Sequence, residues 1–438
     1  MDDLLAARSL MAMSLGFHIL FAAVGIALPL HMVIAEWLWL RTGDSVYLTL
    51  AKSWAKGASI LFAVGAVSGT VLSFELGLLW PKFMGFAGGI IGMPFSLEGF
   101  MFFTEAIFLG IYLYGRKFIS PRMHLLSGVA VALSGVLSGG FVVIANAWMN
   151  SPTGFDVVNG KAVNIDPIAA LFNPMMVTQV LHMILAAYAA TGFLVAGIHA
   201  ACLLKDRANA FHRRALGIAL CVGCIAAVLQ PISGDFSAQA VAHLQPVKLA
   251  ALEGHFKTEI DAPLRIGGFP DAEKRETRWA IEIPYALSIL AFHDPHAEVK
   301  GLNDYPRELW PNTLVVHLAF QAMVGLGSAM MLIALWTAFQ YWRKRVLPDG
   351  TWYLRALVVA APAGMVAIEA GWIVTEVGRQ PWIIQGVLKT AEAVTPMPGI
   401  VVPFITFGLL YLFLAVSVVW LLFRQIASSP GTKILIKD

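Results

Sequence analysis

A small set of side chains in this sequence combines metal-binding or proton-carrying chemistry with a position inside a long apolar run. They are two imidazoles, His18 and His182, one thioether, Met323, and two carboxylates, Glu98 and Glu105. Polar groups at such positions are costly in an apolar medium and are candidates for function by default. Each also has a structural interpretation, because a buried His can be a hydrogen-bonded packing residue and a Met is ordinarily core filler.

The two carboxylates lie seven positions apart in the segment SLEGFMFFTEA. Seven residues are about two helical turns, so Glu98 and Glu105 share one helix face and differ by roughly 10 Å in depth. Carboxylates stacked in this way can relay protons. They can equally serve as structural hydrogen-bond acceptors, and the residues alone leave both interpretations open.

A further polar cluster lies in the segment EAGWIVTEVGRQPW. Glu369, Trp372 and Glu376 follow i, i+3 and i+7 spacing, which places them on one helix face. Gly378 then breaks the helix, and Arg379 follows at the predicted membrane surface. A guanidinium there can pair with an acidic group such as a haem propionate.

The composition requires most of these residues to lie in a membrane. Of the 438 residues, 58% are hydrophobic and 13% are charged, and the mean hydropathy is +0.73. A soluble domain carries roughly a quarter charged residues, so this chain has too little polar surface for a globule in water. The net charge of +3 gives no indication of nucleic-acid binding.

Nine apolar runs are long enough to cross a bilayer, which needs roughly 20 residues. Because only helices or closed barrels satisfy the backbone in lipid, runs of this length predict helices. The expected fold class is all-α, a polytopic membrane bundle of about nine transmembrane helices. The runs lie near residues 12–38, 57–79, 94–114, 124–148, 177–204, 215–233, 312–340, 354–377 and 399–423.

Basic residues between the runs predict the orientation. They concentrate after the first, third, fifth and seventh runs, and the positive-inside rule places those connections in the cytoplasm. The N-terminus is therefore expected outside and the C-terminus in the cytoplasm. The basic residues in question are Arg41, Lys52, Lys56, Arg116, Lys117, Arg122, Lys205, Arg207, Arg213, Arg214, Arg343, Lys344, Arg345 and Arg355.

The predicted spans divide the chain into three parts. Residues 1–233 hold helices one to six, residues 234–311 form a long outer connection, and residues 312–438 hold helices seven to nine. A connection of this length is usually functional or disordered. The IPYAL stretch at 283–287 favours packing of part of this connection onto the bundle.

Orientation and side-chain type together predict a layer of metal ligands. His18, Glu98, His182 and Met323 fall near the outer ends of inward-running spans, and Glu376 falls near the outer end of an outward-running span. Imidazole, thioether and carboxylate groups all suit haem iron, and His with Met suits a six-coordinate electron-transfer haem. Packing residues from five different spans have no reason to share one depth.

Several segments carry a resemblance to one family. The chain resembles subunit I of the cytochrome bd quinol oxidases over nearly its whole length, most clearly its branch with a short quinol loop, which includes cyanide-insensitive oxidases. The segments that carry this resemblance are GWIVTEVGRQPW at 371–382 with its GRQPW signature, the paired-glutamate helix at 97–105, ANAWMNSP at 145–152, and KLAALE at 248–253, similar to the family's quinol-binding loop.

The resemblance implies two haems b and a third haem, expected to be haem d. By position, His182 and Met323 are implied as the axial ligands of the six-coordinate haem b. Glu376 is implied as the ligand of the second, high-spin haem b. His18 is implied as a ligand of haem d with Glu98 on or near its other face, although either of the last two haems is assigned to this His within the family.

The resemblance also implies roles in quinol oxidation and proton transfer. Lys248 and Glu253 would contribute to the quinol site, Glu105 would lie on the proton route, and Trp372 would lie among the haems. One departure concerns Gln321, which stands where family members carry Arg two residues before the ligand Met. A neutral residue there bears on the potential of the six-coordinate haem.

The implied function is that of a terminal oxidase in the bacterial inner (cytoplasmic) membrane. It oxidises quinol at the outer face and reduces dioxygen to water with cytoplasmic protons, which generates a membrane potential. The expected partners are the lipid bilayer, a second membrane subunit and a small single-helix subunit. A proton-coupled transporter would explain buried Glu and His but not Met323, and a haem b anchor would predict His–His ligation without a carboxylate.

Overall fold

The computed structural model of the protein describes residues 3–394 and 399–427, and this part of the chain is predominantly helical. Its α-helices are α1 (Asp3–Thr42), α2 (Ser45–Leu79), α3 (Pro81–Tyr114), α4 (Pro121–Asn150), α5 (Pro167–Leu171), α6 (Met176–Leu203), α7 (Ala210–Leu244), α8 (Pro246–Leu252), α9 (Ala286–Phe292), α10 (Thr313–Lys344), α11 (Thr351–Ala360), α12 (Ala363–Gly378), α13 (Thr390–Ala393) and α14 (Val401–Ala427).

Six short strands form three antiparallel hairpins in the connections between the long helices. They are β1 (Asp156–Val158) with β2 (Lys161–Val163), β3 (Leu264–Asp271) with β4 (Glu276–Ile283), and β5 (Trp382–Ile384) with β6 (Leu388–Lys389). In the longest hairpin Ile266 lies opposite Ile281. All three hairpins lie at one end of the bundle, because each follows or precedes helices that end there. We call this end the loop side.

Nine membrane-spanning segments lie within the described residues, each long and apolar enough to cross a bilayer. They are α1, α2, α3, α4, α6, α7, α10, the pair α11 and α12, and α14. The predicted fold class, a polytopic helical membrane bundle, is confirmed. At a rise of 1.5 Å per residue even the 27 residues of α14 extend about 40 Å, which exceeds the roughly 30 Å of a bilayer core.

Several helices extend beyond the apolar runs that predicted them. The third span begins at Pro81 rather than near residue 94, so Glu98 lies close to the middle of α3 instead of near its end. The sixth span continues past residue 233 to Leu244 and includes His243, which the sequence placed in the outer connection. Polar residues end an apolar run, but they do not end a helix whose backbone remains hydrogen-bonded.

The eighth span is broken between α11 and α12, around Pro362. Proline lacks the backbone N–H that would continue the helical hydrogen bonds, although Ala361 before it keeps helical φ and ψ angles. The break lies against α6, where small residues allow close approach. A Cβ atom on Gly364 would lie 2.4 Å from the Cα atom of Ala190, and one on Gly197 would lie 2.4 Å from the Cβ atom of Ala361. Such small-residue contacts are typical of packed membrane helices.

The long connection between α7 and α10 packs onto the loop side of the bundle. Its buried apolar residues form a cluster with α10 and α12 that includes Leu252, Phe256, Leu302, Val316 and Val374. The segment thus has a core of its own continuous with the transmembrane helices. The IPYAL stretch favoured packing of at least part of this connection onto the bundle, and the structure shows such packing.

Candidate functional site

The loop-side end of α12 carries an ion pair between buried Arg379 and half-buried Glu376. The Glu376 carboxylate accepts hydrogen bonds from Asn146 Nδ2 and from Arg379 Nη2, each at 2.5 Å. Arg379 is 3% exposed, and its Nε and Nη1 atoms have no hydrogen-bond partner in the described protein. Buried N–H groups without acceptors are destabilising, so an acidic group of a bound molecule would complete the site.

His18 on α1 is held in one tautomer by its neighbour on α2. Its Nδ1 atom lies 2.9 Å from Ser68 Oγ, and the Ser68 hydroxyl itself donates to the Val64 carbonyl at 2.9 Å. Because that hydroxyl has one proton to give, Nδ1 of His18 must be the donor. The Nε2 atom therefore carries the lone pair, which is the state a metal ligand needs.

His182 on α6 repeats this arrangement with a serine of α7. Its Nδ1 atom lies 3.0 Å from Ser233 Oγ, and Ser233 donates to the Gln230 carbonyl at 2.9 Å. Nδ1 is again the donor and Nε2 the acceptor. Gln230 Nε2 lies 3.1 Å from His182 Nε2 and donates to this lone pair. Because an amide N–H donates to it, Nε2 is the nitrogen of His182 that bears the lone pair.

Glycines lie opposite several of the candidate ligands. A Cβ atom on Gly371 of α12 would lie 3.1 Å from Met323 Sδ, and one on Gly69 of α2 would lie 3.0 Å from His18 Cε1. Any larger residue would displace these side chains. The glycines therefore allow the Met323 and His18 side chains to lie close to the backbones of α12 and α2.

The two carboxylates of α3 both face α4. The Ser138 hydroxyl faces the Glu98 carboxylate. Glu105 is 7% exposed, and its carboxyl atoms lie 3.4 Å from the Cβ position of Gly135. The common neighbour helix agrees with the shared face that their spacing predicts. Among the described residues no hydrogen-bond partner is recorded for Glu105, in contrast to Glu376.

Lys248 lies in α8 and reaches the end of α12. It is 5% exposed, and its Nζ atom donates to Asn150 Oδ1 and to the Thr375 carbonyl, both at 3.2 Å. The pKa of Lys248 is lowered to about 7, mainly by burial and also by the positive charge of Arg379, while Glu376 opposes the shift. The loop and the α12 end are thus electrostatically connected.

Glu253, one residue beyond the end of α8, has a different environment. It is fully buried, and neither carboxyl oxygen has a hydrogen-bond partner in the described residues. Burial raises the pKa of Glu253 to about 8, partly offset by the positive charge of Arg265. Lys248 and Glu253, which the sequence grouped in one loop segment, therefore have separate neighbours: Lys248 bonds to α4 and α12, whereas Glu253 has Arg265 of β3 as its charged neighbour.

The remaining candidate, Trp372, is half-buried on α12 one turn before Glu376. The sequence did not identify Ser68, Ser233, Asn146 or Asn150 as functional residues. The two asparagines lie in the ANAWMNSP segment at i, i+4 spacing, which offered a signal. The serines offered none, because Ser is common in membrane helices as a residue that bonds its own backbone.

The fold and the donor set define a class of protein: a polytopic helical membrane protein with imidazole, thioether and carboxylate side chains placed between its helices. The family model for cytochrome bd terminal oxidase subunit I matches residues 6–430. The chain belongs to this family, which makes it an oxidoreductase of electron transport rather than a transporter or a haem anchor.

Curated relatives and a solved structure are similar over nearly the whole chain. The putative cytochrome bd menaquinol oxidase subunit I of Bacillus subtilis is 40% identical over 436 residues, which covers 98% of each chain. The cytochrome bd ubiquinol oxidase subunit 1 of the same organism is 33% identical over 97% of this chain and 94% of the relative. The bd oxidase structure from Geobacillus thermodenitrificans has a TM-score of 0.92 and 41% identity, and the match covers 98% of this chain and 99% of that chain.

Proposed function

We propose that this chain is the haem-bearing catalytic subunit of a terminal quinol oxidase. It oxidises two quinols on the loop side and reduces one dioxygen to two waters, with four electrons and four protons transferred. The observation that carries the proposal is the pair of imidazoles whose Nδ1 atoms bind serine hydroxyls, which makes Nε2 the nitrogen of each ring that bears the lone pair. The similarity to relatives named as menaquinol and ubiquinol oxidases supports the substrate class.

The proposed setting is the bacterial inner membrane. The loop side would face outward, with the N-terminus outside and the C-terminus in the cytoplasm, as the distribution of basic residues indicates. Residues 1–233 and 312–438 would form the membrane parts, and residues 234–311 the quinol-binding connection. A second membrane subunit and a small single-helix subunit would complete the oxidase.

The residues present fit three haems. His182 and Met323 would hold a six-coordinate haem b, Glu376 a high-spin haem b, and His18 with Glu98 a third haem, expected to be haem d. Haem bound at these residues supplies one-electron transfer and dioxygen binding. The unpaired N–H groups of Arg379 suit a propionate. Each oxygen of Glu376 accepts one recorded hydrogen bond, which leaves lone pairs for a metal.

Quinol oxidation requires groups that accept protons on the loop side. Glu253 is buried and has no hydrogen-bond partner, so its carboxylate can accept a proton from a quinol hydroxyl. Lys248 lies between this loop and the α12 end, where its ammonium can orient a quinol oxygen. These contacts support a quinol site between α8 and the haem-bearing helices.

Water formation consumes protons, and these would come from the cytoplasmic side. Charge separation requires the two half-reactions to use opposite sides of the membrane. Glu105 lies two turns beyond Glu98 toward the end of α3 that is far from the loop. We assign it to the route that delivers protons to dioxygen, with Trp372 among the haems.

Replacement of Met323 by leucine tests the six-coordinate haem. Leucine keeps the bulk but offers no sulfur, so we expect loss of the low-spin absorbance in reduced-minus-oxidised spectra, with the other haem bands retained. Met330 on the same helix is 5% exposed and provides the matched control as Met330→Leu. An unchanged low-spin spectrum in Met323→Leu would exclude this Met as a ligand.

Ser233→Ala tests the hydrogen bond that orients His182. Loss of such a partner typically weakens metal binding about 10–100-fold, so we expect a shifted midpoint potential and easier loss of the six-coordinate haem. Ser237 lies one turn further along α7 and bonds only the Ser233 carbonyl at 3.0 Å. Ser237→Ala should leave the redox titration unchanged, and equal behaviour of both variants would contradict the proposed role.

Glu253→Gln tests proton acceptance at the quinol site. Only the ionised carboxylate accepts a proton, so the parental quinol oxidation rate should rise with pH through about 8, the pKa of Glu253. This rise should vanish in Glu253→Gln, while dioxygen reduction from an artificial electron donor persists. Glu298→Gln, at an exposed position of the same connection, is the control. A rise of the same size in Glu253→Gln would disprove the assignment.

Glu105→Gln tests the proton route. Glutamine keeps the size of the side chain but cannot carry the proton, so we expect dioxygen reduction to slow at the step of proton uptake, measured by flow-flash absorbance with a pH indicator. Glu105→Asp should retain part of the turnover because the carboxyl group remains. Parental turnover with normal charge separation in Glu105→Gln would show that Glu105 is not on the obligatory path.

A further inference from the structure

Two polar side chains of α10 bind the backbone of the outer connection. Gln321 Oε1 accepts from the Gly267 amide at 3.0 Å, and Gln321 Nε2 donates to the Arg265 carbonyl at 2.9 Å. His317 Nε2 donates to the Gly267 carbonyl at 2.9 Å. His317 and Gln321 are one helical turn apart, so together they hold both polar groups of Gly267 against α10.

The second nitrogen of His317 binds a different part of the connection. His317 Nδ1 lies 2.7 Å from the Leu252 carbonyl oxygen, and the side chain is fully buried. Both ring nitrogens of His317 thus lie within hydrogen-bond distance of backbone carbonyl oxygens. One imidazole therefore joins the end of α8 to β3, two segments that are separated in sequence.

Local backbone geometry makes this contact specific. Gly267 and Gly268 have φ angles of +68° and +90°, a backbone region that residues other than glycine rarely adopt. A Cβ atom on Gly268 would also lie 2.8 Å from the Cβ atom of Ala280 in the paired strand. The strand thus turns at the point where it meets α10.

Glu253 depends on this arrangement for its position. Its own carboxylate makes no hydrogen bond in the described residues, so the hydrogen bonds that set its position are those of the neighbouring backbone. Leu252 is bound to His317, and a Cβ atom on Gly254 would lie 3.5 Å from His317 Nδ1. The residue that would accept the quinol proton therefore lies between two contacts of one imidazole.

We propose that His317 and Gln321 are positioning residues for quinol oxidation, which hold Glu253 and strand β3 at a fixed place against the helix that carries Met323. The inference rests on the proposed quinol site. Gln321 acts through two neutral hydrogen bonds to the loop backbone. The loop is thereby connected to the helix of the six-coordinate haem two residues before its candidate ligand.

The test compares Gln321→Met and His317→Gln in the complete purified oxidase. Methionine keeps the length of Gln321 but removes its donor and acceptor, and glutamine at 317 retains a single donating group. We expect the KM for quinol to rise about tenfold in Gln321→Met, as for loss of one or two hydrogen bonds, and less in His317→Gln. The low-spin spectrum and turnover from an artificial donor should stay at parental values.

The double variant adds a readout that a merely structural role would not produce. Because both side chains hold Gly267, removal of either should release it, so the combined rise in KM should be smaller than the product of the single effects. Gln340→Met, near the opposite end of α10, is the matched control and should keep the parental KM.

Two outcomes overturn the inference, and they differ from failure of the quinol site. The inference is overturned if Gln321→Met and His317→Gln both keep the parental KM for quinol while Glu253→Gln still impairs quinol oxidation. Loss of low-spin haem and of artificial-donor turnover together with the rise in KM also overturns it, because the two residues would then support the haem helix generally. If Glu253→Gln, Gln321→Met and His317→Gln all show normal quinol kinetics, the proposed quinol site itself is rejected.

Discussion

The half-buried carboxylate of Glu376 needs protein partners on its buried side, because neither lipid nor apolar side chains solvate a charge. Asn146 supplies one hydrogen bond from α4 and Arg379 another from the end of α12. These contacts fix where α4 and α12 meet, and Lys248 bonds to Asn150 and Thr375 in the same region. A layer of mutually dependent polar groups therefore joins the outer connection to two transmembrane helices.

The candidate ligands differ in how the protein prepares them. His18 and His182 each give their Nδ1 proton to a serine on the next helix, and this fixes both the ring orientation and the lone pair on Nε2. Glu105 has no such hydrogen bond among the described residues, although it is buried whereas both imidazoles are half-buried. A held imidazole suits a permanent ligand, whereas a carboxyl group without fixed partners suits one that gains and loses a proton.

The outer connection is part of the bundle rather than an appended loop. An apolar cluster joins it to α10 and α12, and the side chains of His317 and Gln321 bind its backbone. Burial lowers the pKa of Lys248 to about 7 and raises the pKa of Glu253 to about 8. Both values lie near neutral pH, so either residue can gain or lose a proton there at little cost.

Sequence alone determined the nine spans, since the hydropathy and length of a segment decide whether it can cross the apolar core of a bilayer. It also determined the side-chain types of the site and the common face of Glu98 and Glu105. Tertiary structure decided the extension of α7 to Leu244 and the serine partners of the imidazoles. It also gave Lys248 and Glu253 separate neighbours and gave Gln321 a role in binding the loop. Each of these depends on contacts between residues far apart in the chain, and no periodicity or spacing along one helix specifies them.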